Sequence, residues 1–426
     1  MRVLVLSDGY PPWDRGGAQT IAAQLARGYA RRGHDVSALA TVADRDDVGR
    51  SAREGVTVYR TYSPHPDRLL PYLTVHNPFA VGPCRRLLDR LAPDVVHAHN
   101  VHWLSNGCLR AAARRSIPVV KTFHDAGTVS YGELTHFVED VPVGEGRISA
   151  AAYRVDPWYQ LKRQRLGYFP LRNRRNRRCM DRCVDVGVAV SRELRRALRA
   201  NGVPCDEVIH NGVDVEPFDR ETGDAEAFRG RHDLGSSPVV LFGGRTGYNK
   251  GGRHLAAAFA RLDLDDPPAL LVTGDSAYVD RMREVAEAAG DRIVSTGWLA
   301  REGLRTAFDA ATVVATPSVH LDPFPTVNLE AFAGATPVVT TRFGGARELV
   351  EHERDGLVVD PRDVDRLAAA LSRLLDDPDL AAAYGAAGRR KVERSFTVEG
   401  QVDAYLDVFR ELVDGPTGRP TRGRRT

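Results

Sequence analysis

The amino-acid sequence predicts an α/β protein made of two doubly wound, parallel-sheet domains facing a central cleft. Three observations carry this expectation. Short β-branched runs alternate with longer helical patterns through roughly the first 200 residues. The same alternation starts afresh after residue 235. At 426 residues the chain also exceeds what one hydrophobic core usually organises. Strand–helix alternation closes into a parallel sheet covered by helices on both faces, and a cleft between two such domains is the default place for a ligand.

In the first half, RVLVLS precedes GAQTIAAQLARGYARRG, DVVHA precedes a helix near 104–115, IPVVKTF follows, and DVGVAVS precedes RELRRALRA. Ser191, at the start of the last of these, suits an N-cap because its hydroxyl can accept from an unpaired helix N–H. In the second half the strands PVVLFGG, LLVTGD, RIVSTGW, TVVATP and TPVVTT are separated by helices near 251–263, 276–289, 300–310 and 327–334. Between the halves, NGVPCDEVIHNGVDVEPFDRETGD is rich in turn formers and poor in helical period. It places a boundary near 205, giving domains 1–204 and 205–397. VEGQVDAYLDVFRELV, residues 398–413, is a helix that comes after the second alternation is complete, and residues 414–426 read as a basic disordered tail.

Residues 126–184 interrupt the rhythm. There Trp158, Tyr159, Tyr168 and Phe169 are interleaved with Lys162, Arg163, Arg165, Arg172, Arg174, Arg175, Arg177 and Arg178. Such a mixture suggests either a surface lying against an anionic membrane or a solvated basic cover.

Composition excludes several classes. Lys plus Arg (59) barely exceeds Asp plus Glu (56), so there is no global field for gathering nucleic acid. The five cysteines are odd in number and include no CxxC pair, against both a disulfide framework and a zinc site. No run of 18 apolar residues occurs, and the leading apolar run breaks at Ser7, too early for a signal-peptide core. A reduced, cytoplasmic setting is expected.

Several stretches hold residues suited to chemistry. Gly16 and Gly17 stand where a strand–turn–helix junction could offer backbone N–H groups to an anion, although the spacing is not G-x-G-x-x-G. LFGGRTGYNKGG brings Arg245 and Lys250 to a glycine-rich turn before a helix, which suits a diphosphate or is simply an exposed basic turn. HAHNVHW puts His97 and His99 on one side of a strand with His102 beyond it, and TFHD puts His124 and Asp125 at the next strand end. These positions suit substrate contacts, while His97 alone also suits a hydrogen-bonded core. No carboxylate lies at ligand spacing within HAHNVHW, so no metal site is expected. In HLDPFPTVNLEAFA, Asp322 precedes a helix on which Asn328 and Glu330 lie, and Glu330 is close enough to its start to complement the dipole.

Taken in order, the N-terminal GG turn, histidines at two strand ends, HNGVD, GGR…KGG, TGD, TGW and a D/E-x7-E element resemble the retaining glycosyltransferases of family 4. The resemblance spans residue 1 to about 410, leaving out the insertion and the tail. It implies the GT-B fold, two Rossmann-like domains, with a nucleotide-sugar donor held mainly by the C-terminal one and the acceptor by the N-terminal one. A C-terminal helix crossing back to the first domain, as the resemblance implies, would account for residues 398–413.

By position, Arg245 and Lys250 match the pair that grips the donor diphosphate, and Glu330 matches the acid that accepts from the ribose hydroxyls. His124 matches the histidine near the transferred sugar, and Gly16 and Gly17 match the glycine loop over the donor phosphates. Asp322 stands where the family usually has Glu and would face the sugar with a reach shorter by about 1.5 Å. Asn328 is a further donor-side candidate, and His97, His99 and His102 are acceptor-side candidates.

The implied reaction moves a hexosyl unit from a UDP- or GDP-linked sugar to a saccharide or lipid-linked acceptor, in cell-surface polysaccharide or glycolipid synthesis. It proceeds by same-face attack through an oxocarbenium-like state, with no cofactor and no essential metal. Two other readings share these residues: a nucleotide-sugar epimerase, and a catalytically weak nucleotide-sugar-binding partner subunit, to which the shorter Asp322 points.

Overall fold

The structure is a computed structural model and describes residues 1–13, 16–144, 146–164, 168–219, 225–243 and 247–415. The chain divides into two compact units: Met1–Leu134, Tyr153–Asn211 and the chain from Val398 onward form the first, and Thr135–Ala152 with Gly212–Thr397 form the second. The sequence reading divided the chain near 205 and kept residues 126–184 in one domain. In the structure the division falls at 211/212, and the middle of the insertion, Thr135–Ala152, belongs to the second unit. The tail from residue 416 lies outside the described residues.

The first unit is built on strands β1 (Arg2–Leu6), β2 (Asp35–Val42), β3 (Gly49–Arg53), β4 (Val56–Tyr62), β5 (Val95–Ala98), β6 (Val119–Phe123), β7 (Val186–Ala189) and β8 (Glu207–Val208). They lie in the order β3-β4-β2-β1-β5-β6-β7-β8, parallel except for the β3–β4 hairpin. RVLVL and VVHA are apolar almost throughout because a parallel sheet is buried on both faces. In the hairpin, Glu54 and Gly55 both have positive φ, as the tight two-residue turn between Arg53 and Val56 requires.

Val398–Val413 packs onto this unit. Val402, Tyr405, Leu406 and Phe409 recur at helical spacing, are fully buried, and join Ile21, Leu25 and Tyr29 of helix Gly17–Arg31 in one core. The two helices approach closely at Gly28, where a Cβ would come within 2.3 Å of Val402.

The second unit has strands β9 (Val239–Phe242), β10 (Ala269–Thr273), β11 (Ile293–Gly297), β12 (Val313–Thr316), β13 (Val338–Thr341) and β14 (Gly356–Val359). They form a parallel sheet in the order β11-β10-β9-β12-β13-β14. In each unit the winding reverses beside the first strand, between β1 and β5 and between β9 and β12. The carboxyl ends flanking such a reversal are where open α/β sheets bind ligands.

Candidate active site

In the first unit the reversal is organised by Asp8, two residues beyond β1. Its buried carboxylate accepts the backbone N–H groups of His102, Trp103 and Leu104 at 2.7, 2.8 and 3.0 Å. Asp8 thereby pins the loop after β5 and fixes the position of His102. His102 Nε2 lies 3.6 Å from Asp125 Oδ2, and Asp125 also accepts from Asn100 Nδ2 (3.1 Å) and Gly127 N–H (2.7 Å). Desolvation opposes charge on both members. Even so, the pairing holds the His102 pKa above the ordinary imidazole range and, with the Gly127 N–H, the Asp125 carboxyl below the usual carboxylate range.

His99 and His124 meet at the next strand ends, Nδ1 to Nε2, at 2.8 Å. Burial, together with the neighbouring Lys121, holds both imidazoles neutral, and the His124 pKa falls to about 3. His99 Nε2 is buried without a hydrogen-bond partner. The cheaper tautomer leaves that nitrogen as a bare lone pair, so His99 Nδ1–H donates to His124 and His124 carries its proton on Nδ1.

Lys121, also buried, donates to the carbonyls of His99 and Thr122, and burial lowers its pKa to about 8. Lys121, His102, His124 and Asp125 line a small pocket together with Asn100, Asn106, Phe123, Thr128, Asn176 and Met180.

His97 is not brought to this pocket. It is fully buried, with Nδ1 3.1 Å from the Tyr29 hydroxyl and Nε2 2.8 Å from Thr122 Oγ1, which in turn lies 2.8 Å from the Tyr405 hydroxyl. Its ring is packed against Tyr405 and Phe409, so it is part of the seat for the C-terminal helix and not an acceptor-side residue. Gly17 opens its helix with Gly16 as N-cap, and no acidic side chain occupies the first turn.

The second unit gathers a separate set of groups. Tyr248–Lys250 is a single 3-10 turn followed by Gly251, whose φ is +82° and whose missing Cβ would fall 1.8 Å from the Pro317 carbonyl oxygen. Only glycine allows that approach, and it draws the Lys250 turn against the loop after β12. Val319 N–H donates to the Asn249 carbonyl at 2.8 Å and closes the contact. Lys250 Nζ then donates to Asp322 Oδ2 at 2.8 Å, and Ser318 Oγ donates to the same oxygen at 3.0 Å, with His320 Nε2 4.0 Å away. Burial raises the Asp322 pKa, but the Lys250 charge and these hydrogen bonds outweigh it and hold the carboxyl below its ordinary range.

Glu330 is half-buried on helix Thr326–Ala333, but its position is past the first turn, so the dipole gives it little reason to be there. Asn328 is not available to a ligand. Its Oδ1 accepts from Thr316 Oγ1 (2.8 Å), its Nδ2 donates to Thr340 Oγ1 (3.1 Å), and the two hydroxyls lie 2.7 Å apart, closing a buried ring. That ring ties the helix to β12 and β13. Arg245 lies outside the described residues.

Sequence reasoning singled out Asp125 beside His124 but missed Asp8, Lys121, Ser318 and His320. Asp8, Ser318 and His320 follow the carboxyl ends of strands, which is the signal that could have found them, whereas Lys121 lies in the middle of β6. Among the described residues no group of three or more His, Cys, Asp or Glu could hold a metal ion, and no helix is long and apolar enough to cross a membrane.

Known proteins match this arrangement over nearly the whole chain. Residues 15–217 match the family model for Glycosyltransferase Family 4, and residues 224–391 match that for Glycosyl transferases group 1. A D-inositol 3-phosphate glycosyltransferase of Acidothermus cellulolyticus is 30% identical over 95% of this chain and 89% of its own length. A glycogen synthase of Mycobacterium tuberculosis is 28% identical over 96% and 94%. The crystal structure of Anabaena HepE in complex with UDP-glucose superposes with a TM-score of 0.69 at 19% identity, covering 96% of this chain and 100% of that one. The chain is a glycosyltransferase of the GT-B fold, belonging to family 4 through its first half and to the group 1 glycosyl transferases through its second.

Proposed function

We propose that this glycosyltransferase moves a hexosyl unit from a UDP- or GDP-linked sugar to a saccharide or lipid-linked acceptor, with retention at the anomeric carbon, in cell-surface polysaccharide or glycolipid synthesis. The observation that carries the reading is the Lys250–Asp322 pair beside the winding reversal of the second sheet. A largely buried carboxylate aims a partly exposed ammonium, which is then ready to share its donors with a diphosphate oxygen. Charge grows on the diphosphate as the glycosidic bond breaks, so a cation already in place stabilises the transition state more than the ground state.

Glu330 takes the ribose hydroxyls in this reading, because a carboxylate only accepts. Asp322 and His124 face the transferred sugar, and Gly16, Gly17 and Arg245 complete the phosphate contacts. His99 and His102 lie on the acceptor side in this reading. Attack from the face of the departing phosphate, which accepts the acceptor's proton, gives retention without a protein nucleophile, cofactor or essential metal. The UDP-glucose complex of HepE supports a nucleotide-sugar donor.

The test is turnover on a panel of nucleotide-diphosphate sugars with candidate acceptors. Lys250→Ala should lower turnover by roughly 10²-fold. Unchanged turnover in that variant would sink the assignment, and an isomerised sugar formed without any acceptor would mark an epimerase instead.

Peripheral contact with the anionic, cytoplasmic face of a membrane belongs to the same proposal. Trp158 is 70% exposed, Tyr159, Leu161 and Leu171 are also exposed, and Arg174, Arg175, Arg177 and Arg178 lie on the same exposed insertion. Arg172 is not one of this set: it is buried and donates to the carbonyls of Gly127 (2.5 Å) and Ser130 (3.1 Å). Co-sedimentation with anionic vesicles should fall with added salt and with loss of the four exposed arginines.

A further inference from the structure

We propose that residues 135–152 form a strap that positions the Lys250–Asp322 site, so that a segment strung out from the first unit completes the donor side of the second. The chain leaves the first unit after Leu134, packs within the second, and returns at Tyr153. Its attachment is specific. Arg342 directly follows β13 and Asp360 directly follows β14, and the buried Asp360 carboxylate accepts from Arg342 Nη1 (3.2 Å), Arg362 Nη2 (2.7 Å) and Arg362 Nε (3.0 Å).

One carboxylate cannot satisfy two guanidinium groups, each with five N–H donors. The strap supplies further acceptors to the Nη groups of both, while Arg342 Nε is left without one. Arg342 donates to the carbonyls of Pro142 (3.0 Å) and Gly146, and Arg362 donates to those of Val138, Val141 (2.9 Å) and Pro142 (3.1 Å). In return Gly144 N–H donates to Asp360 (3.3 Å), and the fully buried Phe137 and Phe343 rings meet edge-on at 5.9 Å.

From this clamp two contacts lead to the site. Phe343 is followed by Gly344, whose backbone pairs with Asp322 so closely that a Cβ would fall 2.0 Å from the Asp322 carbonyl oxygen. Gly345 N–H donates to that oxygen at 2.8 Å. Asp322 then holds Lys250. Strap, Arg342–Phe343 loop, Asp322 and Lys250 therefore form one continuous packed path, and Arg342 and Arg362 act as positioning residues. The catalytic consequence rests on the donor-site reading above, whereas the mechanical one does not.

Hydrogen exchange on the full chain separates the two. One variant replaces residues 137–144 with a Gly/Ser chain of equal length; Arg362→Gln is a milder second in case the first fails to fold. In both, peptides spanning 342–349 and 248–252 should exchange at least about tenfold faster, while helix Gly17–Arg31 keeps its parent protection. UDP or GDP affinity should fall with acceptor KM unchanged. If the 342–349 and 248–252 peptides keep their protection and only the strap opens, the strap is a surface attachment and the proposal fails. Because exchange is read without substrate, a chain found to transfer no sugar would remove the functional reading and leave this one standing.

Discussion

Gly251→Ala tests the local geometry that brings Lys250 to Asp322. Two penalties can be worked from the structure. At φ +82° an L-residue occupies the left-handed region, at about 1–2 kcal/mol. The new Cβ would also lie 1.8 Å from the Pro317 carbonyl oxygen, where contacts below 3.0 Å essentially never occur, so the backbone has to give by more than about 1 Å. Overpacking of that kind adds roughly 1–3 kcal/mol, for about 2–5 kcal/mol in all.

Gly235 is the control within the same unit: its φ is +52° and nothing lies within 4 Å of its added Cβ, so Gly235→Ala incurs only the first penalty. Urea unfolding of the two variants should therefore differ by about 1–3 kcal/mol with unchanged m-values. A displacement of about 1 Å at the neighbouring Lys250 should in addition cost on the order of 10²-fold in transfer, which Gly235→Ala should spare. Equal losses of stability in both variants would show that the close approach to Pro317 is not what fixes the Lys250 turn.

Three further outcomes follow from the same structure. Asp322→Asn removes the charge that competes for Lys250, so UDP or GDP should bind about as tightly or up to roughly tenfold tighter while transfer falls, whereas Lys250→Met should weaken binding; calorimetry on both variants reads the sign. His97, His99 and His124 are held neutral below the ordinary imidazole pKa, so the stability they carry is fully present above about 6.5 and drains away as pH falls toward their folded pKa values, about 3 for His124. For His124 the loss between pH 7 and 5 should be about 2 kcal/mol, His102 with its raised pKa working in the opposite sense, and His124→Asn should flatten the slope of urea midpoint against pH. Thr122→Val strands His97 Nε2 and the Tyr405 hydroxyl in the core, so it should cost about 2–4 kcal/mol and speed hydrogen exchange in Val398–Val413.

What could be read in the sequence divides along physical lines. Strands such as RVLVL and VVLF are apolar on both faces and bounded by turn formers, so burial alone announces them. The period of Val398, Val402, Tyr405 and Phe409 announces a helix with one face to bury, and the core it joins is that of Tyr29 and Ile21. The β3 edge strand, GRSAR, has every residue exposed and carries no such signal; it exists because the Glu54–Gly55 turn folds it onto β4.

The site divides in the same way. Lys250 and Asp322 were legible because glycines and prolines bracket them. Residues close together on one element were separated only by packing. His97 and His99 alternate on one strand face, yet one is sealed beneath Tyr405 while the other reaches His124. Asn328 and Glu330 sit two apart on one helix, yet only Asn328 finds two threonine hydroxyls in the sheet below it. The strap was illegible for a stronger reason. Its carbonyls are common to every sequence, and what gives 135–152 its place is the unmet donor capacity of Arg342 and Arg362, some two hundred residues away. Local pattern records which side chains seek burial, but it does not record which backbone acceptors a distant, buried arginine still needs.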